Sequence, residues 1–149
     1  MTHPPDRIYA HRFAFPPEAE DENRHVNNIE YVRMMQESAI AHTRRNGWTP
    51  EELHRRGWTW VARSHFIEYL QPCRAGEDID LLTWVADFRR IRSLRKYRFV
   101  RVSDGAVLAD AQTQWVFLDL GTGRPRPIPP EVLSAYIAIP DEESPLASQ

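Results

Sequence analysis

The sequence predicts an α+β fold in which one long helix packs on an antiparallel sheet of five to six strands. One β-rich run precedes the helical segment and four follow it, at residues 7–15, 58–71, 77–89, 93–103 and 106–119. Short turn signals join the last four runs, and such turns favour antiparallel neighbours. A helix with one apolar stripe must bury that stripe, and the sheet is the available surface.

The first run ends at Pro16-Pro17, and a polar loop then leads into the long helix. Asn27 or Asn28 is predicted to cap that helix, because a side-chain amide oxygen can accept from an unpaired N–H. We expect the helix to reach about Asn46 and to end at Gly47. Apolar residues at helical spacing predict that the following stripe faces the core: Ile29, Val32, Met35, Ala39 and Ile40.

A second, short helix is indicated by Thr49 as N-cap, Pro50 as first helical residue and Glu52 as capping-box partner. Among the sheet turns, Asp104-Gly105 is the strongest hairpin signal. A last helical segment is expected from Pro129 to Tyr136.

The 149 residues are expected to form one domain, 1–149, with an ordered core at about 7–138 and a flexible tail at 139–149. Residues 1–6 are expected to form a loose arm. Hydrophobic residues make up 42%, charged residues 27% and the net charge is −2, so nothing favours nucleic acid or a membrane as partner. The start does not resemble a signal peptide, and no apolar run approaches the ~20 residues of a membrane span.

Cys73 is the chain's one cysteine, which excludes an internal disulfide and favours a reducing compartment. We therefore expect a cytoplasmic protein. No His/Cys pattern has the spacing of a zinc site, so neither a metal nor a cofactor is expected.

Residues 21–28 gather a carboxylate, an imidazole and three side-chain amides directly before the long helix. The unpaired N–H groups and the positive dipole end of a helix N-terminus can hold a negatively charged oxygen. Acyl-transfer chemistry needs such a place for its oxyanion. The sequence therefore places a candidate catalytic centre at the helix entrance.

Acyl-ACP thioesterases carry the signature D-x-N-x-H-V-N-N-x-x-Y, which the chain resembles at Asp21, Asn23, His25, Val26, Asn27, Asn28 and Tyr31. Further along the helix, Glu37-Ser38-Ala39 is similar to that family's Glu-Ser-Ala. The broader acyl-CoA thioesterases of the 4-hydroxybenzoyl-CoA thioesterase type share a D-x-x-G-H-V-N-N form, with Gly where this chain has Arg24. Plant-type acyl-ACP thioesterases carry Glu where this chain has Pro72.

The resemblance covers about Ile8 to Val132 and implies the hotdog fold, in which a long antiparallel sheet wraps around a central helix. It also implies hydrolysis of an acyl-CoA or acyl-ACP thioester to a free acid and a thiol. The family's sites lie between subunits and one sheet edge here must be covered, so a homodimer or a tetramer is expected.

The resemblance assigns Asp21 as nucleophile or general base and the backbone N–H of Asn28 as the donor to the thioester carbonyl. His25 would act as a base or orient water and the pantetheine arm, and Asn23 would position water or the carbonyl. Each side chain also has an ordinary structural interpretation. Asp21 could cap a turn, Asn23 could form an Asx-turn, and His25 could be a buried histidine that bonds the loop backbone.

Basic residues surround one predicted hairpin: Arg89, Arg90, Arg92, Arg95, Lys96, Arg98 and Arg101. They could bind the phosphates of coenzyme A or an acidic carrier protein, or they could be the solvated face of two strands. The residues expected to bind substrate are Asn27, Tyr31, Glu37, Arg89, Arg90, Arg92 and Ser93.

Three alternatives remain open from the sequence. A hotdog hydratase or dehydratase could use Asp21 and His25 for proton transfer, although those relatives usually space the pair one residue further apart. A non-catalytic module could bind acyl groups or carrier proteins, although it would not need an intact Asp21 and His25. A papain-like set of Cys73, His25 and Asn23 is disfavoured, because a solitary cysteine at a strand end is more often inert.

Overall fold

A computed structural model describes residues 7–147, so the loose arm expected over residues 1–6 and the last two residues lie outside it. Three helices and five strands follow one another in chain order: β1 Tyr9–Ala14, α1 Asn28–Arg45, α2 Pro50–Arg55, β2 Trp58–Tyr69, β3 Asp78–Arg89, β4 Arg92–Arg101, β5 Val107–Asp119 and α3 Pro130–Leu133. Single 3₁₀ turns lie at Pro17–Ala19, Asp141–Glu143 and Pro145–Ala147.

The strands form one antiparallel sheet in the order β1-β3-β4-β5-β2. The β4–β5 connection contains Gly105, whose φ of 73° is the left-handed conformation that the Asp-Gly signal predicts. Both β1 and β2 are edge strands of this sheet. The predicted α+β class and antiparallel sheet are confirmed, with five strands in the part of the chain that the structure describes.

The predicted N-caps of the first two helices are confirmed. Asn27 caps α1, with its side chain accepting from the Ile29 N–H at 3.2 Å. Thr49 caps α2, with its hydroxyl accepting from the Glu52 N–H at 3.0 Å. The Glu52 carboxylate binds the guanidinium groups of Arg55 and Arg56 instead of completing a capping box.

The predicted apolar stripe of α1 is partly wrong. Met35 and Ala39 are buried, but Ile29 is 64% exposed and Ile40 is 41% exposed, while Val32 is half-buried. The buried face of α1 consists of Tyr31, Met34, Met35, Ser38, Ala39 and His42. Two of these residues, Ser38 and His42, are polar. A prediction from apolar residues alone therefore identifies a face of the helix that is rotated relative to the buried one.

The core is divided along the length of α1. One cluster packs Tyr31, Met34 and Met35 of α1 against Phe15 and sheet residues that include Phe99. A second cluster joins α2, the sheet and α3 through Leu53, Val85, Phe117, Ile128, Val132 and Tyr136. Tyr136 joins this cluster to the second half of α1, since its hydroxyl donates to the Thr43 hydroxyl at 3.1 Å and its ring packs edge-on against His42. The two halves of α1 therefore lie in different surroundings.

The chain beyond α3 packs on the sheet as far as it is described. Ile139 is 1% exposed and its N–H donates to the Val85 carbonyl at 2.9 Å. Further on, Asp141 pairs with Lys96 at 2.8 Å. This differs from the flexible tail expected over 139–149, because a run of polar residues does not reveal its ion-pair partners on a distant strand.

Candidate active site

The loop before α1 closes around the carboxylate of Asp21. Asp21 Oδ1 accepts from the Asn23 N–H at 2.8 Å and from the His25 N–H at 3.3 Å. The backbone closes the same turn, since the Asp21 N–H donates to the His25 carbonyl and the Arg24 N–H donates to the Asp21 carbonyl. The Asx-turn that sequence reasoning weighed is therefore present, and it is centred on Asp21 rather than Asn23.

Arg24 gives this turn its shape. Its φ of 61° makes it the single non-glycine residue with positive φ between residues 7 and 147. In the motif that the chain resembles, glycine stands at this position, and glycine adopts this conformation without steric cost. Arg24 thus takes up the left-handed backbone conformation that glycine favours.

Backbone and side-chain hydrogen bonds fix the loop in place. Val26 N–H donates to the Cys73 carbonyl and Asn27 N–H donates to the Ala19 carbonyl, both at 2.8 Å. The Glu20 carboxylate accepts from the Ala75 N–H at 2.8 Å and from the Arg74 side chain. These donors hold the pKa of Glu20 below its usual range. The loop thus has a defined position at the end of α1.

The first helical N–H group has no acceptor in the described part of the chain. The Asn27 side chain takes the Ile29 N–H, and the Asn27 carbonyl takes the Glu30 N–H. For the Asn28 N–H, no acceptor lies within hydrogen-bond distance among the described residues. The Tyr69 hydroxyl donates to the Asn28 carbonyl at 3.0 Å and so fixes this peptide from the other side.

The structure brings the motif residues together and leaves them accessible. Five residues expected at the site are all exposed: Asp21, Asn23, His25, Asn27 and Asn28. The buried-histidine interpretation of His25 is therefore wrong. Glu37 is also exposed, but it lies two and a half turns along α1 from Asn28.

Tyr31 is a core residue rather than a surface contact. It is 3% exposed, and its ring lies 5.2 Å from that of Tyr69 and 4.9 Å from that of Phe99. Burial raises the pKa of its hydroxyl well above the usual range. In this structure, Tyr31 supports Tyr69, which in turn holds the Asn28 peptide.

The basic cluster predicted around the β3–β4 hairpin separates into different environments. Several members have carboxylate partners, Arg98 with Asp110, Arg101 with Asp104, Lys96 with Asp141 and Arg89 with Asp87. Arg90 and Arg92 are exposed at the hairpin turn. Together with Arg89 and Ser93, these two line a shallow cavity of about 440 Å³.

Cys73 lies under the loop and cannot serve as a nucleophile in this state. It is 1% exposed, and burial raises the pKa of its thiol to about 12. A thiol attacks as the thiolate, so a protonated buried cysteine is inert. The papain-like alternative is not supported.

A larger cavity of about 520 Å³, here called the helix cavity, lies beside the second half of α1. It begins at Gln36, which lies about 12 Å along the helix axis from Asn28. Apolar side chains from both helices and the sheet form most of its wall: Ala39, Ile40, Leu53, Trp60, Val85 and Phe88. Polar side chains also line it, among them Thr43, Ser93 and Arg95.

Sequence reasoning missed the helix cavity. Its wall is drawn from two helices and four strands, so no local pattern marks it. Ser93 was expected to bind substrate, and it is 6% exposed at the boundary of both cavities. Across residues 7–147, no group of three His, Cys, Asp or Glu side chains lies close enough to hold a metal ion.

A family model for the thioesterase-like superfamily matches residues 15–136, which include the loop, α1 and the strands β2 to β5. The chain belongs to the thioesterase-like superfamily. No curated protein sequence matches it. Within the described range, no helix of this superfamily member is long and apolar enough to cross a membrane.

Solved structures share the fold of this thioesterase-like chain at low sequence identity. A hypothetical protein from Aquifex aeolicus is 19% identical with a TM-score of 0.80, covering 87% of this chain and 99% of that one. A 1,4-dihydroxy-2-naphthoyl-CoA thioesterase from Synechocystis is 16% identical with a TM-score of 0.79, covering 86% and 94%. The hotdog fold expected from the motif is thereby confirmed.

An acyl-ACP thioesterase from Bacteroides thetaiotaomicron is 21% identical with a TM-score of 0.78, covering 89% of this chain and 54% of that one. The chain therefore spans about half the length of that relative. At these identities the comparison concerns the fold, and the chemistry has to be argued from the site itself.

Proposed function

We propose that this protein hydrolyses an acyl thioester of coenzyme A or of an acyl carrier protein to a free carboxylic acid and a thiol. The observation that carries the proposal is the Asn28 N–H, which has no described acceptor at the N-terminus of α1. The loop that closes on the Asp21 carboxylate leads directly into this terminus. A carboxylate and an oxyanion donor are the two groups that hydrolysis of a thioester requires.

The two carboxylate oxygens of Asp21 have different roles in this proposal. Its Oδ1 accepts both loop N–H groups, while Oδ2 has no hydrogen-bond partner among the described residues. As general base, Asp21 removes a proton from water as the water attacks the carbonyl carbon. As nucleophile, its oxygen attacks that carbon and expels the thiolate, and water then hydrolyses the resulting anhydride. His25 and Asn23, both exposed beside it, orient the water or the pantetheine arm.

The oxyanion of the tetrahedral intermediate binds the Asn28 N–H. The positive end of the α1 dipole adds to that interaction. One oxyanion donor is typically worth about 3 kcal/mol of transition-state stabilisation, so this backbone group contributes as much as a catalytic side chain.

The exposed hairpin turn with Arg90 and Arg92 is the proposed contact for the phosphate groups of the carrier. Both carriers occur among the structural relatives, since a protein from Staphylococcus aureus was solved in complex with CoA and the Bacteroides protein is an acyl-ACP thioesterase. Removing either arginine is expected to raise KM and leave kcat unchanged, because these residues lie away from the reacting carbonyl.

A homodimer formed through β2 would join the two parts of the site. β2 is an edge strand, and residues 61–66 along it are all exposed. Antiparallel pairing of β2 with its copy places the Tyr69 end of one strand beside the Trp58 end of the other. Tyr69 contacts Asn28, and Trp60 lines the helix cavity. The helix entrance of one protomer would then face the helix cavity of the second.

The test is thiol release from a panel of acyl-CoA and acyl-ACP thioesters. Asp21→Asn keeps an oxygen for the two loop N–H groups but removes the charge, whereas Asp21→Ala removes both. Both variants are expected to lose turnover, and only Asp21→Ala is expected to lose stability as well. Glu22→Gln, which neutralises the adjacent exposed carboxylate, is the matched control and is expected to retain turnover.

The same panel distinguishes the competing activities. Full turnover by Asp21→Asn would show that Asp21 only holds the loop. Addition of water to an enoyl thioester without thiol release would indicate a hydratase. Tight acyl-thioester binding with no reaction of either kind would indicate a binding module.

A further inference from the structure

Arg95 is a buried cation that has no acidic partner among the described residues. It is 5% exposed on β4 and lines the helix cavity. Its Nη1 donates to Nδ1 of His42 at 2.9 Å and to the Thr83 hydroxyl at 3.1 Å. No carboxylate among residues 7–147 lies within ion-pair distance of it, and its Nε and Nη2 have no described acceptor.

Arg98, three residues further along β4, shows what a buried arginine in this sheet ordinarily has. It is equally buried at 5% exposure, and its Nε and Nη2 each donate to an oxygen of Asp110 at 2.8 Å. This is the bidentate geometry in which a guanidinium matches a carboxylate. The same edge of Arg95 has no such partner within the described protein.

An unpaired buried charge is strongly unfavourable, and buried charges are normally paired. Among residues 7–147, the titratable groups around Arg95 are Tyr97 of the same strand, His42 of α1 and Tyr136, and none of them carries a negative charge near neutral pH. The hydroxyl of Ser93, 6% exposed on the same strand, has no described partner either. An anionic ligand group would satisfy both side chains.

We propose that the helix cavity binds an acyl group that ends in a carboxylate, with Arg95 as its counter-ion and Ser93 as an additional donor. The apolar wall formed by residues such as Trp60, Val85 and Phe88 fits the methylene segment between that carboxylate and the thioester. The inference rests on the proposed thioesterase function and narrows its substrate to monothioesters of dicarboxylic acids.

The experiment compares dicarboxylic acyl-CoA thioesters with monocarboxylic acyl-CoA thioesters of the same chain lengths. For the wild type, kcat/KM is expected to favour the dicarboxylic partner by about 100-fold, as for other buried charge pairs. Arg95→Met should abolish or invert this ratio, and Arg95→Lys should retain part of it. Arg98→Lys is the matched control, because it alters the paired arginine of the same strand, and it should leave the ratio unchanged.

A binding measurement on the wild-type protein tests the proposal even if Arg95→Met does not fold. Free dicarboxylates should raise the melting temperature of the wild-type protein more than monocarboxylates of equal length. Equal kcat/KM for both series, or a ratio that Arg95→Met leaves unchanged, overturns the carboxylate site while thioesterase activity stands. If hydroxyaryl thioesters are preferred and that preference also depends on Arg95, the cavity binds a phenol rather than a carboxylate, and the proposal is overturned. Absence of thiol release from every thioester overturns the proposed function. The melting temperatures with dicarboxylates and monocarboxylates then test the carboxylate site independently of activity.

Discussion

The two halves of helix α1 differ in how their surroundings are built. At its N-terminus, exposed polar residues and a closed turn leave one N–H without a described acceptor, and every contact that shapes Asp21 comes from within eight residues. Beside its second half, side chains from two helices and four strands enclose a largely apolar cavity that contains Arg95, a buried arginine with no carboxylate partner between residues 7 and 147. The geometry of the proposed reaction site is thus encoded locally, whereas the proposed acyl-binding cavity depends on tertiary packing.

The largest expected effect on turnover comes from removing the backbone N–H of Asn28. Asn28 is the first residue of α1, a position where proline is favoured, and Asn27 already has the extended conformation that precedes a proline. Asn28→Pro should therefore keep the helix but lower kcat by about 10²- to 10³-fold. Steady-state kinetics measures this change. Asn28→Ala, which retains the N–H, should have a kcat near that of the wild type. Equal kcat values for the two variants would show that the Asn28 N–H does not bind the oxyanion.

A second substitution tests whether two protomers join the two halves of the site. Phe66 is 59% exposed on the edge strand β2, and a charge on a strand edge opposes pairing with a copy of itself. Phe66→Lys should shift the protein towards monomer in light scattering and reduce thiol release in parallel. Val102→Lys alters an exposed valine outside the strands and should do neither. A wild-type monomer with full activity would contradict the shared site.

A smaller effect is expected at the cap of α1. Asn27→Ala removes the acceptor for the Ile29 N–H, and loss of an N-cap typically costs about 1 kcal/mol, or about 2–4 °C in Tm. Calorimetry should show a similar loss for Thr49→Ala at the cap of α2. Only Asn27→Ala should also slow turnover. Asn27→Asp should restore stability but not turnover, because its charge opposes an oxyanion nearby.

The smallest effect on turnover is expected for Cys73. Because the thiol is buried and protonated, Cys73→Ala should leave thioester hydrolysis unchanged in the same thiol-release assay. Burial raises the pKa of the thiol from 9.0 to about 12, so the folded state is favoured below pH 9 and loses that advantage as the pH rises towards 12. Denaturant unfolding should therefore show a steeper alkaline loss of stability in wild type than in Cys73→Ala.

Much of the fold follows from local signals in the sequence. Strand boundaries lie within about two residues of those expected, because turn residues such as Asp104-Gly105 interrupt the β-rich runs. The caps at Asn27 and Thr49 follow from side chains that bond their own helix. Asp21 and Asn28 could likewise be placed together, since a short motif and a helix start are local features.

The remaining features depend on contacts between distant residues. The buried face of α1 was misjudged because His42 is buried through its bond to Arg95, more than fifty residues away. The basic cluster was overestimated for the same reason, since Asp110 and Asp141 neutralise Arg98 and Lys96 from other parts of the chain. The helix cavity has no sequence signature at all.

The left-handed turn at Arg24 has a consequence for the stability of the loop. A side chain in that conformation costs about 1–2 kcal/mol relative to glycine, so this chain carries the arginine at a measurable expense of stability. The turn that aligns the His25 N–H with the Asp21 carboxylate is therefore a conformation that the rest of the loop imposes on Arg24 against its own steric preference.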